Sequence, residues 1–323
     1  MVAVKPSKPS LTPAQVPLQE PQAQDLKTLA QLILLHAPYD SEFQLPLPGV
    51  KVTRASRINN DLYHVVYQPK VCIVAQGSKS VFLGSEVFTY DPLHMLGVSV
   101  NLPISSQVTQ ASQQEPFLCL TVALDPVHIA DLAQRAYPNG LPPMPAERGL
   151  FLGLASAQIV NAATRLLELL QEPREAALLS GPILDEILLR LLRTPMGIRL
   201  AALGQAESSV QRISRAVDHV RQHFDEALSM EDLARMVHMG QTTFHQHFKD
   251  VTGLSPLQYQ KTLRLQEARR RLLSGLDATT ASRQVGYVSV SQFSREYSRQ
   301  FGRTPLKDVA FLRAEGPATS PLN

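Results

Sequence analysis

Ser229-Met-Glu-Asp-Leu-Ala-Arg-Met-Val237, then His238-Met-Gly240, then Thr242-Thr-Phe-His-Gln-His-Phe-Lys249: this stretch is written a second time further along the chain. The second copy is Asp277-Ala-Thr-Thr-Ala-Ser-Arg-Gln-Val285, Gly286-Tyr-Val288 and Ser289-Val-Ser-Gln-Phe-Ser-Arg-Glu-Tyr297. Each copy leaves by a similar exit, Val251-Thr-Gly-Leu-Ser-Pro256 and Gln300-Phe-Gly-Arg-Thr-Pro305. Leu233, Ala234 and Val237 fall on one helix face, and Phe244 and Phe248 stand four apart on the next, as Phe293 and Tyr297 do in the second copy. The pattern predicts two helix-turn-helix units, a shape that places a helix in the DNA major groove. Between them Ser255 and Pro256 open a helix that runs to Ser274-Gly275. About 20 helical residues span roughly 30 Å, close to one turn of DNA at about 34 Å.

Phe248-Lys249, Gly253-Leu-Ser-Pro256, Arg264-Leu-Gln-Glu-Ala-Arg269 with Leu272-Leu273, Val285-Gly-Tyr287, Ser291-Gln-Phe-Ser-Arg295 and Phe301-Gly with Pro305 follow one another in order. Together they resemble the DNA-binding domain of the AraC/XylS family of bacterial transcription regulators, over about residues 210 to 313. Two departures stand out: Ser282 occupies a usual alanine position, and Gly240 stands where a serine usually caps the first recognition helix. Glycine costs only a few tenths of a kcal/mol against serine at such a cap. The resemblance implies base contacts from Thr242, His245 and Gln246 in the first unit and Val290, Ser291, Gln292 and Arg295 in the second. Lys249 and Arg299 are placed for phosphates.

The 323 residues suffice for two domains. A net charge of +3 hides an asymmetry: from Ser208 onward 16 Lys and Arg face 11 Asp and Glu, or +5, which leaves −2 for the remainder. A basic C-terminal half suits a nucleic-acid footprint, although charge alone fits a solvated surface equally well. No apolar run approaches the ~20 residues of a membrane span. Residues 1–25 hold five prolines and four glutamines, and are expected to be a disordered lead without the features of a secretory signal. A short helix from Leu26 toward Pro38 follows. Two cysteines imply no disulfide framework, and a cytoplasmic location is the natural reading.

Residues from Phe43 to Leu124 change to short apolar runs between turn signals. The expected strands are Val50–Ser56, Leu62–Tyr67, Val71–Gln76, Ser80–Leu83, Glu86–Tyr90, Met95–Val100, Ser105–Thr109 and Phe117–Ala123. So many short strands favour a barrel or sandwich. The family resemblance, weaker here, implies a cupin-like barrel that holds an effector. The fold expected is therefore α+β: a disordered lead 1–25, a sensor and dimerisation domain 26–200, a linker 201–209, a DNA-binding domain 210–313 and a flexible tail 314–323.

No catalytic or metal chemistry is legible. A metal-bearing cupin needs His-x-His and further ligands, whereas His64, His94 and His128 are scattered and read as surface or hydrogen-bonded structural histidines. His245 and His247 point roughly 200° apart on a helix and cannot share a metal. Cys72 and Cys119 lie in apolar strands and read as inert packing. Glycine phosphate loops and nucleophile elbows are absent.

Two helices are expected after the barrel, Leu150–Gln171 and Pro182–Arg193. Their apolar stripes either pack on their own barrel or pair two subunits, and Ile183, Ile187, Leu188 and Leu191 are the dimerisation candidates. Thr194–Ser209, with Pro195, Gly197 and Gly204, reads as the connection to the DNA-binding half. The chain is thus read as a promoter-binding regulator, with no enzyme activity and no cofactor. Promoter DNA, RNA polymerase, a second copy and a small, mostly apolar effector are its expected partners. The rival readings are a constitutive DNA-binding protein whose barrel only dimerises, and a barrel enzyme fused to a DNA-binding domain.

Overall fold

The computed structural model describes residues 19–58, 61–141, 148–205 and 208–314. Most of the expected lead, the tail after 314 and Asn59-Asn60 of one expected turn lie outside the described residues. The N-terminal half begins with α1 (Ala23–His36) and continues through β1 (Ser41–Gln44), β2 (Val50–Ala55), β3 (Tyr63–Tyr67), β4 (Lys70–Gln76) and β5 (Ser78–Leu83). Then come β6 (Glu86–Tyr90), β7 (His94–Val98), β8 (Leu102–Gln110), β9 (Phe117–Ala123), α2 (Pro126–Ala136), β10 (Leu150–Leu154), α3 (Ala157–Glu168), α4 (Pro173–Leu192) and α5 (Pro195–Gly204). The C-terminal half is all helix: α6 (Ser209–Gln222), α7 (Met230–Met236), α8 (Gln241–Thr252), α9 (Pro256–Leu273), α10 (Ala278–Gln284), α11 (Val290–Phe301) and α12 (Pro305–Ala314). This is the expected α+β division, and no described helix is long and apolar enough to cross a membrane.

The strands form two antiparallel sheets, ordered β1-β2-β9-β4-β7-β10 and β3-β8-β5-β6. Period-two alternation sorts the side chains. On β4 and β9, Val71, Ile73, Leu118, Leu120 and Val122 face the helices α1 and α3, while Cys72, Val74, Phe117 and Cys119 face the space between the sheets. Both faces of the larger sheet are therefore buried, which explains its nearly unbroken apolar runs.

Four expectations need correction. Leu150–Leu154 is a strand paired with β7, in register Leu150↔Val98, and not the start of a helix. An apolar run this short carries no decisive period, and the helix begins only after Ser156, whose hydroxyl accepts the Ile159 N–H at 3.3 Å. Pro182 lies inside α4 and does not start it. Its missing N–H leaves one carbonyl unpaired, tolerable because this half of the helix faces water, with Leu178 76% exposed. The stripe assigned to dimerisation is committed elsewhere: Ile187, Leu188 and Leu191 are buried in their own chain's core, with Ile183 packed against it. Finally, the expected linker is largely helix α5, capped by the Thr194 hydroxyl on the Gly197 N–H, with Pro195 in the first turn where proline is favoured.

Helix α5 is firmly seated. Met196 packs over Gly97 and Gly153, where any Cβ would stand within 2.6 Å of its side chain, and Leu200 and Ala201 are fully buried. Three apolar clusters result. One lies between the large sheet and helices α1–α5. A second joins the inter-sheet space to α6, α7, α8 and the start of α9. The third holds the rest of α9 with α10, α11 and α12.

Candidate nucleic-acid interface and barrel cavity

Each helix-turn-helix is built by local rules. Ser229 caps α7 and Ser289 caps α11, each through its hydroxyl, and Asp277 caps α10 by accepting the Thr279 and Thr280 N–H groups. Gly240 caps α8 without a side-chain bond. Ser282, the other departure, is fully buried and spends its hydroxyl on the Thr279 carbonyl at 2.8 Å. The turn needs one left-handed residue, supplied by His238 at φ 52° in the first unit and Gly286 at 86° in the second.

On α8 the aromatic face is inward, with Phe244 and Phe248 at 1% and 0% exposure. Thr242, His245, Gln246 and Lys249, at spacings of three and four, are exposed on the opposite side. On α11 Phe293 and Tyr297 are fully buried, while Ser291, Gln292, Arg295 and Arg299 are exposed and Val290 is half-buried. Gln246 bonds Asp250 at 2.9 Å, and Gln292 reaches Glu296 at 3.4 Å. Among the described residues Lys249, Arg295 and Arg299 make no ion pair. His247 is half-buried.

The connector α9 has 18 residues, or about 27 Å at 1.5 Å per residue. Its motif arginines hold the frame. Arg264 donates to the carbonyls of Phe224 at 2.6 Å, Glu226 at 2.8 Å and Gly286 at 3.0 Å, and so ties the end of α6 to the second turn. Arg269 forks onto the fully buried Asp308 at 2.8 and 2.9 Å, and the Tyr297 hydroxyl donates to the same carboxylate. Burial and the Asp308 charge push the Tyr297 phenol well above its ordinary range.

The barrel grips this half from behind. The Tyr259 hydroxyl donates to the Asn101 carbonyl at 2.8 Å, and the Asn101 amide donates to Asp218 at 2.6 Å. The Gly149 N–H reaches the Val251 carbonyl at 2.8 Å, Arg148 reaches those of Lys249 and Asp250, and Arg303 pairs with Asp61 at 3.2 Å. His64, bonded to Ser105, meets the Phe301 ring edge-on at 4.8 Å; burial, with Arg269 nearby, lowers its pKa to about 4. His94 and His128 bond Asp91 and Asp185. These contacts leave the polar faces of α8 and α11 open.

Between the two sheets lies a cavity of about 200 Å³. Lys79, Ser106, Tyr67, Cys72 and Cys119 line it, with Val65, Val66 and Phe117 as apolar wall. Sequence reasoning misses Lys79 because the expected strand starts two residues late, at Ser80 rather than Ser78. Lys79, Val81 and Leu83 share a face, so alternation carried the signal. The two cysteines are buried as expected, yet they border a cavity. The Cys72 thiol is pulled down to about 6 by a hydrogen bond from Cys119, against burial and with Lys70 and Lys79 near, while Cys119 is pushed up.

Residues 46–199 match the AraC-type transcriptional regulator N-terminus, and residues 233–308 a helix-turn-helix domain. The RCS-specific HTH-type transcriptional activator RclR of Escherichia coli is 34% identical over 95 residues, 29% of this chain and 34% of that protein. The HTH-type transcriptional activator RhaS of Pectobacterium carotovorum is 31% identical over 111 residues, 33% and 40% of the two chains. These matches span well under half of either relative's length. ToxT of Vibrio cholerae shares the fold at a TM-score of 0.52 over 85% of this chain and 98% of that one, at 12% identity. A ToxT structure bound to a methylnaphthalenyl butenoic acid aligns at 0.52 and 14%. The two matched regions together cover most of the chain, and it belongs to the AraC family of helix-turn-helix transcription regulators.

Proposed function

We propose that the chain binds promoter sites through α8 and α11 and that a small molecule held between the sheets controls it. The observation that carries the first part is the pair of open polar helix faces, each with a cation that makes no ion pair among the described residues, joined by a connector of about 27 Å. That length suits two successive major grooves on one side of a duplex, about 34 Å apart. Thr242, His245, Gln246, Val290, Ser291, Gln292 and Arg295 read bases in this account, and Lys249 and Arg299 hold phosphates. The effector part rests on the cavity and on its place in the same apolar cluster as the first unit. At 14% identity the ToxT likeness extends to the fold only, so it adds nothing about this cavity's occupant. RNA polymerase and a second copy are further proposed partners, and the second copy must use a surface other than the buried stripe of α4.

Selection of bound fragments from random-sequence DNA by the full-length protein tests this. Two enriched blocks about one helical turn apart are expected, and a protein that enriches no sequence ends the reading.

A further inference from the structure

Lys79 is only 8% exposed. A buried ammonium is costly unless paired, and among the described residues no carboxylate pairs with Lys79. The nearby acid on the cavity wall, Glu42, is already bonded to Lys51 at 2.8 Å. The neighbours of Lys79 are Tyr67, whose hydroxyl accepts a hydrogen bond from it and whose ring lies 5.8 Å from its nitrogen, and the sulfurs of Cys72 and Cys119. Burial works against its charge, but these groups hold its pKa above the ordinary lysine value. A polar group beside it is stranded. Ser106 pairs directly with Val81, one step along the same face, and among the described residues its buried hydroxyl has no hydrogen-bond partner. Both side chains line the cavity between the sheets.

We propose that this cavity binds a small organic carboxylate, its charge on Lys79 and its oxygen accepting from Ser106, with its apolar body against Val65, Val66 and Phe117. The inference rests on the effector reading of the barrel and deepens it, and it replaces the mostly apolar occupant that the sequence suggests. Size limits the body. An apolar cavity of about 150 Å³ holds benzene, so about 200 Å³ admits a compact acid of roughly seven to ten non-hydrogen atoms. Bare phosphate would satisfy the charge but leave the apolar wall uncovered.

The test uses the full-length protein and a panel of benzoate, cyclohexanecarboxylate and pentanoate, each beside its own amide, with inorganic phosphate as a further probe. Melting temperature and titration calorimetry are read. At least one acid is expected to raise the melting temperature by several degrees while its amide does not. Lys79→Met is expected to abolish that shift, and Ser106→Ala to weaken binding about tenfold, the effect of one hydrogen bond to a charged group. Cys72→Ala is expected to keep binding. Amides that bind as well as the acids, phosphate that binds better than every acid, or unchanged affinity in Lys79→Met each overturn the proposal. So does an absence of binding by every acid. If thiolate absorbance in the free protein then disappears in Cys72→Ala, Lys79 has its counter-charge in Cys72. Selection of a DNA site is measured on the same preparation: a protein that selects DNA but binds no acid loses this inference and keeps the regulator assignment.

Discussion

His238 is held at φ 52° in a turn where the second unit uses glycine. A left-handed non-glycine residue costs roughly 1–2 kcal/mol, and glycine returns part of that as chain entropy. His238→Gly should therefore stabilise the protein by up to about 1 kcal/mol in thermal denaturation, and a loss would show that the imidazole makes a contribution of its own. Gly286 has no such latitude. A Cβ there would meet the Asp225 carbonyl at 2.2 Å and the Arg264 guanidinium at 2.9 Å, so Gly286→Ala should lower the melting temperature. On the DNA side, Arg295→Ala should cost about 1–3 kcal/mol and relax preference at one base pair, most simply a guanine. Lys249→Ala should weaken all sequences alike and reduce the salt slope by about one. Equal weakening of every sequence by Arg295→Ala would remove it from base reading.

Among the elements, α4 separates two ideas that its sequence leaves open. Ile187 and Leu191 are at 0% and 1% exposure inside their own core, so Ile187→Glu or Leu191→Glu should unfold the N-terminal half, at a cost above about 4 kcal/mol. Sedimentation showing a folded protein of altered oligomeric state would return this stripe to an interface. Phe248 and Phe293 are both fully buried, but in different clusters. Each change to alanine should cost roughly 3–5 kcal/mol. Phe293→Ala should loosen the second unit alone, and Phe248→Ala should also disturb the barrel that shares its cluster. Hydrogen exchange distinguishes these patterns. The second unit is legible because duplication, caps and aromatic spacing agree, although α11 runs on past Tyr297 to Phe301. Eight of the ten described strands are legible as short apolar runs between turn signals, with Glu86–Tyr90 and Phe117–Ala123 matching to the residue, whereas β1 and β10 are not. Helix α2 was missed although Asp125-Pro126 is a good start signal, with the Asp125 carboxylate accepting the His128 N–H at 2.8 Å. Pro195 reads as part of a linker, yet it begins a helix. The pairing partners of Lys79 and Ser106 depend on sheet register, which no single stretch of sequence states.

For the whole molecule, the seam between barrel and DNA-binding half carries a titratable group. An imidazole with its ordinary value of 6.5 is lowered to about 4 at His64, so the unfolded chain takes up the proton first as pH falls. The stability from neutral His64 is complete above 6.5 and is lost as pH falls toward 4, an effect of up to about 3 kcal/mol. Melting temperature should therefore decline less steeply across that window in His64→Gln than in the natural protein. Identical slopes would exclude His64 as the group responsible. The seating of Met196 over Gly97 and Gly153 has a different consequence, for anyone grafting this reader onto a foreign sensor. A chimera joined at Thr194, where the composition invites a cut, would tear α5 from its seat and leave both fragments with a raw apolar scar. A graft joined between Gln205 and Ser208 keeps α5 with its native sheet, and the incoming module inherits a stiff mount instead of a tether.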